Sequence, residues 1–348
     1  MSPPPSAPDP ARMMRDAIAL SEAARGTTHP NPPVGAVVCD ARGAVVGQGA
    51  TEPPGGPHAE VMALRQAGAW SHGGTAFVTL EPCAHHGRTP PCAQALIEAG
   101  IAQVHYAVAD PSELAGGGAA ALADAGVKTT LGPLTAEVER GPLRAWLHYV
   151  RTGRPHVTWK FASTLDGRVA AADGTSRWIS SAASRADTHE LRAKVDAIVV
   201  GTATVLADDP QLTARLEDGT PHPRQPLRVV VGDRDIPASA RILDDAAETM
   251  RVRGHDPGEV LAQLAERGAL DVLLEGGPQV AGAFVRAGMV DRIIGYLAPA
   301  LLGAGPWALE DAGVSTITEM HRWEFEEVTM TGGDVRVTAV PSSPRLQR

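Results

Sequence analysis

Between Pro57 and Cys92 the chain places His-Ala-Glu (His58 to Glu60) ahead of Thr-Leu-Glu-Pro-Cys (Thr79 to Cys83) and Pro-Pro-Cys (Pro90 to Cys92). One imidazole and two thiols form the ligand set of a zinc site that keeps a position open for water, because a hydrolytic zinc takes three protein ligands. The fold is thereby constrained: the segments carrying His58, Cys83 and Cys92 must meet at one point. Two thiolates cancel the charge of Zn²⁺, yet a bound water can still be acidified toward neutral pH. Glu60, two residues past His58, can lean into the same cavity from a helix start, and its expected job is moving protons. The ligands are expected at two helix N-termini, where the dipole favours thiolate over thiol.

His-x-Glu followed by Pro-Cys and a second Cys is the pattern of nucleobase deaminases, in which the glutamate is an acid/base and not a ligand. The second half departs from Pro-Cys-x-x-Cys: eight residues, Ala84 to Pro91, separate the thiols, with His85, His86 and Arg88 among them. The alternative is a Cys83–Cys92 disulfide or two ordinary buried thiols. With no secretory context and His-Ala-Glu at the right distance upstream, metal is the better reading. Cys39, after Val37 and Val38, reads as a small buried hydrophobe.

A length of 348 residues suits two domains of ordinary size, and 43% apolar residues can pack both. A net charge of −9 with no lysine–arginine cluster argues against a nucleic-acid partner and so against a polynucleotide deaminase. Ser2 to Pro10 is proline-rich without an apolar core, neither signal peptide nor membrane anchor. Residues 1–10 are expected to be a disordered leader on a cytoplasmic enzyme with no membrane partner.

In chain order, apolar positions predict a helix from Ala11 to Ala24, ended by Gly26. A hairpin follows, Val34 to Cys39 and Ala44 to Gly49. Then come a helix from His58 to Ala67, a strand from Thr75 to Leu80, Cys83 at the start of the next loop and helix, which Cys92 to Ala99 continues, and a strand from Val104 to Ala109. That order predicts a mixed sheet with helices on its faces. An alanine-rich helix to Ala125, the run Val127 to Leu131 and a helix from Leu134 to Val150, broken at Gly141-Pro142, lead to a domain boundary near Arg151 to Pro155. Residues 11–150 and 151–348 are expected as the two domains. In the second, strands at Val157 to Ala162, Ala197 to Val200, Leu227 to Val231 and Val272 to Leu274 alternate with helices at Ser184 to Lys194, Val260 to Arg267 and Val280 to Ala287, which implies a largely parallel sheet. Thr202 to Pro210 reads as a polar loop at a strand's carboxyl end, where α/β sheets bind ligands. Glu275-Gly276-Gly277-Pro278 opens a helix and reads either as a phosphate cradle or as a simple turn. There is no Gly-x-Gly-x-x-Gly after the first strand, so a standard dinucleotide fold is not supported.

The chain resembles the bifunctional riboflavin-biosynthesis deaminase-reductase family. His29 to Gly35, His58 to Glu60, Thr79 to Cys83, His85 to Cys92, Thr164 to Gly167, Trp178 to Ser180, Thr204 to Pro210 and Glu275 to Gly277 match its motifs, in order, over nearly the whole chain. The resemblance implies a cytidine-deaminase-like N-terminal domain and a dihydrofolate-reductase-like C-terminal α/β domain that binds NADPH. It implies zinc-dependent hydrolytic deamination of 2,5-diamino-6-ribosylamino-4(3H)-pyrimidinone 5′-phosphate, then NADPH-dependent reduction of the ribosyl group to ribityl. One zinc per chain is implied at His58, Cys83 and Cys92, with Glu60 catalytic and Asn31, His85 and Arg88 on the substrate. For NADP the matching positions are Ala162, Trp178, Thr204, Asp208, Gly277, Pro278, Gln279, Val280, Ala281, Gly282 and Ala283. For the phosphoribosyl pyrimidine they are Lys160, Ser176, Arg192, Leu212, Arg215 and Glu275. A homo-oligomer is expected. Thr51 stands where the family usually has histidine, Ser112 and Glu113 where it has Asn-Pro, and Val231-Gly232-Asp233 where it has Leu-Asp-Ser, so the binding loops are expected to differ there. The competing readings are a single-activity deaminase with a decayed second half and a non-catalytic zinc-stabilised binding module; Lys160, Asp208 and Glu275 speak against the first, Glu60 against the second.

Overall fold

The computed structural model describes residues 8–85, 90–112 and 116–342. The residues divide into two compact units, Met1–Arg154 and Pro155–Arg348. Most of the expected disordered leader, residues 1–7, lies outside the described residues, and helix α1 already begins at Pro10.

The N-terminal unit runs α1 (Pro10–Ala24), β1 (Gly35–Cys39), β2 (Val45–Ala50), α2 (Ala59–Ala67), β3 (Thr75–Leu80), α3 (Cys92–Glu98), β4 (Gln103–Val108), α4 (Gly118–Asp124), β5 (Lys128–Leu131), α5 (Thr135–Arg140) and α6 (Arg144–Thr152). Its strands form one mixed sheet in the order β2-β1-β3-β4-β5. β1 pairs antiparallel with β2 and β3, and β4 runs parallel to both β3 and β5. Central strands carry unbroken apolar runs because helices cover both faces: every residue of β1 is buried, as are all of β3 but Thr75. Asp9 caps α1 through a carboxylate that accepts from the Ala11 amide, with Pro10 in the first turn where its missing donor costs nothing. A Cβ on Gly35 would stand 2.0 Å from the Ala17 carbonyl, so only glycine lets α1 lie this close to the sheet. The expected helix of the second thiol begins at Cys92 itself, and residues 86–89 lie outside the described residues. Cys83 stays in the loop after β3, and the helix starts at Cys92, because Pro90 and Pro91 cannot supply backbone donors to an earlier turn.

The C-terminal unit comprises β6 (His156–Thr164), α7 (Ala182–Ala193), β7 (Ala197–Gly201), α8 (Thr202–Asp208), β8 (Leu227–Val231), β9 (Thr249–Val252), α9 (Pro257–Glu266), β10 (Asp271–Leu274), α10 (Pro278–Arg286), β11 (Arg292–Ala298), β12 (Trp323–Thr331) and β13 (Asp334–Pro341). The eight strands lie in the order β12-β13-β11-β6-β10-β7-β8-β9. From β11 to β9 all neighbours are parallel, and β13 and β12 add an antiparallel edge. β7 and β10 are buried throughout. One core layer joins Val157, Trp159, Val199 and Val272 to Leu261, Leu264 and Phe284 of α9 and α10. Burying side chains of this size contributes about 1.5–3 kcal/mol each against an extended chain. The expected polar loop at Thr202 to Pro210 is helix α8 instead, since Val205 docks into the core and the segment coils to bring it there.

Candidate active sites

Three ligand-type side chains converge in the N-terminal unit. His58 is the residue that precedes the first turn of α2, Cys92 is the first residue of α3, and Cys83 hangs from the loop after β3. His58 Nδ1 lies 3.2 Å from Cys92 Sγ and 3.7 Å from Cys83 Sγ, and the three donor atoms all fall within 4.8 Å of one another. Tetrahedral bonds of about 2.0 Å to nitrogen and about 2.3 Å to sulfur set ligand atoms roughly 3.5–3.8 Å apart, so a zinc ion fits this set. Neither thiol is in a disulfide. The Cys92 thiol donating to Cys83, with His58 beside it, holds Cys83 well below the usual thiol range, while the same contact and burial push Cys92 up. The lowered thiol leans toward thiolate, the form a metal needs.

Glu60, in the first turn of α2, is only 4% exposed and lines the same cleft of about 400 Å³ as His58 and Cys83. Burial raises its carboxyl to about 7. Asn31 and His85 also line this cleft. Arg88 lies outside the described residues. Sequence reasoning missed Glu81, whose carboxylate accepts from the amides of Asp110 (3.1 Å) and Ala119 (2.9 Å) and so fastens the loop that bears Cys83. The signal was present, inside Thr-Leu-Glu-Pro-Cys. Gly118 completes the clamp, since a Cβ there would stand 1.6 Å from the Pro82 carbonyl. Asp110 and Trp146 line the cleft as well; nothing around Trp146 in the sequence marks it. Thr51 lines it too, but its hydroxyl accepts from the Val34 amide at 3.1 Å and serves the backbone.

In the C-terminal unit Glu275 and the start of α10 follow the carboxyl end of β10, and α8 follows that of β7, the place where α/β sheets receive ligands. Glu275 follows β10 and is gripped by Arg192 of α7, Nε to Oε1 at 2.6 Å and Nη2 to Oε2 at 2.9 Å. Lys160 of β6 stands 3.7 Å from the same carboxylate. Burial pushes Glu275 up, but the charges of Arg192 and Lys160 outweigh it and hold the carboxyl at about 2. Burial pushes the Lys160 ammonium down. Arg192 also donates to the Thr213 carbonyl, beside Leu212, which ties in the segment that continues to Arg215.

Ser176 donates to Asp208 at 3.1 Å, and the Thr204 hydroxyl accepts from the Gly277 amide at the start of α10 at 3.1 Å. Four predicted positions therefore meet in two pairs. Trp178 is 70% exposed, with the Arg185 guanidinium 4.5 Å from its ring centre. Ala162 lies half-buried on β6 opposite Tyr296. Pro278, Gln279, Val280 and Ala283 are accessible in the first turns of α10, whereas Ala281 and Gly282 turn into the core. Gly201 and Gly276 owe their place to Val280, whose side chain a Cβ at either would meet at 2.7 or 3.0 Å.

The profile described as "Cytidine and deoxycytidylate deaminase zinc-binding region" matches residues 9–108, and that of the "RibD C-terminal domain" matches residues 155–337. The riboflavin biosynthesis protein RibD of Mycobacterium tuberculosis is 58% identical over 93% of this chain and 95% of its own length. The chain belongs to the RibD family. RibD of Escherichia coli is 39% identical over 92% of the chain and 96% of its own length. A solved structure from Thermotoga maritima, described as a diaminohydroxyphosphoribosylaminopyrimidine deaminase/5-amino-6-(5-phosphoribosylamino)uracil reductase, is 33% identical, covers 95% of this chain and 98% of its own, and superposes with a TM-score of 0.86. RibD relatives thus carry both halves in one chain, in the same order.

Proposed function

We propose that this chain is a bifunctional hydrolase and oxidoreductase of riboflavin biosynthesis. Its N-terminal unit deaminates diaminohydroxyphosphoribosylaminopyrimidine, and its C-terminal unit reduces 5-amino-6-(5-phosphoribosylamino)uracil with NADPH. The observation that carries the reading is the meeting of His58, Cys83 and Cys92 beside a cleft that buried Glu60 also lines, in a chain whose other half assembles Lys160, Arg192 and Glu275.

In the deaminase unit His58, Cys83 and Cys92 would hold zinc, which when bound would supply the acidity that makes a water a usable nucleophile. Glu60 takes a proton from the attacking water at its carboxylate and delivers one to the departing amine, a task that suits a carboxyl raised to about 7. Asn31 and His85 hold the base and its substituents. In the reductase unit Thr204, Asp208, Trp178 and the start of α10 would hold NADPH, which would supply the hydride. Lys160, Arg192 and Arg215 draw in the phosphorylated ribosyl chain, and Glu275 keeps the first two cations in register. The 1–10, 11–150 and 151–348 division belongs to the same reading.

The reading extends to a cytoplasmic homo-oligomer acting on a small molecule. No described helix is long and apolar enough to cross a membrane, and Phe325, Val328 and Met330 stand exposed on edge strand β12, where a second copy would cover them. The test of the function is mass spectrometry of products from the diamino substrate. Without NADPH the product should have lost one amine; with NADPH it should also have gained two hydrogens. Unchanged substrate with zinc-loaded protein would reject the proposal.

A further inference from the structure

Leu212 and Asp209 are non-glycine residues in the left-handed region, at φ 53 and φ 41. Such a backbone persists only where its surroundings hold it, and it clusters at functional sites. The carbonyls on both sides of Leu212 are held by guanidinium groups. Gln211 O accepts from Arg228 Nη1 at 3.1 Å, and Thr213 O accepts from Arg192 Nη1 at 3.1 Å.

Arg228 sits on β8 and is fully buried. It also donates to Asp244, at Oδ1 (2.8 Å) and at the backbone carbonyl (2.6 Å), and to the Ala247 carbonyl. The other Asp244 oxygen accepts from Gln211 Nε2 at 2.6 Å, and Gln211 Oε1 accepts from Arg215 Nη2 at 2.6 Å, with a longer contact of 3.5 Å from Arg241. A chain of bonds thus runs Arg228, Asp244, Gln211, Arg215. An amide can offer N–H to a carboxylate and C=O to a guanidinium at once, so it orients the arginine without pairing it to a negative charge. Arg215 Nε also donates to the Thr213 hydroxyl at 3.4 Å, on the residue whose carbonyl accepts from Arg192, which places Arg215 beside the cluster already described.

We propose that Gln211 is a positioning residue for reduction: it aims Arg215 at the phosphorylated end of the substrate and keeps Asp244 from neutralising it. This rests on the reductase reading above. Gln211→Glu would set a carboxylate against Arg215 and a like charge against Asp244. Gln211→Leu would remove both bonds at similar volume and let Arg215 fall toward Asp244.

The test is steady-state reduction of the deaminated phosphoribosyl compound and of its dephosphorylated counterpart at saturating NADPH. In both variants KM for the phosphorylated compound should rise about tenfold or more, the scale of losing one charge-assisted contact. The kcat, the KM for NADPH and kcat/KM for the dephosphorylated compound should stay near wild type. In an Arg215→Ala background, Gln211→Glu should add nothing. An unchanged KM in both variants, an equal rise without Arg215, or a parallel loss toward NADPH and the dephosphorylated compound would overturn the positioning role while the reductase reading stands. A wild-type protein that reduces neither compound would overturn both.

Discussion

Cys83 and Cys92 face His58 across 3.7 and 3.2 Å, while Cys39 lies buried in β1 with its thiol 3.5 Å from the Met13 sulfur. Cys83→Ser and Cys92→Ser should therefore purify without zinc, and Cys39→Ser should keep a full equivalent with a small loss of stability, as metal analysis would read directly. A second prediction concerns Glu275. Its carboxyl is depressed in the folded protein to about 2 against 4.5 for the ordinary group, so its stabilising effect is present above pH ~4.5 and is lost as pH falls toward 2. Urea unfolding followed from neutral pH down to pH ~3 should show the C-terminal unit weakening over that window, and Glu275→Gln should flatten the slope. The same substitution strands Lys160 and Arg192 as partly unpaired buried charges, at a cost of about 3–5 kcal/mol at neutral pH. An unchanged slope in Glu275→Gln would assign the acid sensitivity elsewhere. The zinc triad and Glu60 were legible because their chemistry demands those residue types at a tight spacing. Glu81 stood inside a legible motif, Thr-Leu-Glu-Pro-Cys, but its role and that of Gln211 were not legible, because their work is done through amides and neighbours that only the folded chain brings to them.

Among the elements, the hairpin, the buried strands and α1, α2, α7, α9 and α10 could be read from apolar periodicity and end signals within a few residues. Helix α8 could not. Its seven residues begin with Thr-Ala-Thr, carry no capping side chain, and coil only because Val205 has a core to enter. Strands β9, β11, β12 and β13 also escaped the sequence reading. β12 is mostly exposed, and a bulge between Phe325 and Glu327 breaks its alternation, so the period-two signal is lost where it was needed. The contact between α4 and the loop of Cys83 makes an element-level prediction. Gly118→Ala must displace the Pro82 carbonyl, since the added Cβ would stand 1.6 Å away. It should lower the melting temperature of the N-terminal unit and weaken zinc retention in a chelator titration, although residue 118 is no ligand. A variant with wild-type retention would show that the loop is held by Glu81 alone.

For the whole chain, two sheets lie in separate units, and the proposed deaminase and reductase residues are drawn from one unit each. Hydride transfer calls on no metal ligand, and deamination calls on no nicotinamide, so the activities should separate by substitution. Glu60→Gln should keep its zinc and lose deamination by about 10² or more, the scale of removing a positioned acid/base. The most direct test supplies zinc-loaded Glu60→Gln with already deaminated substrate and follows NADPH oxidation. The account predicts reduction at near the wild-type rate, with the diamino substrate left intact in a parallel reaction. Loss of reduction in folded, zinc-loaded Glu60→Gln would contradict it and require one shared active site.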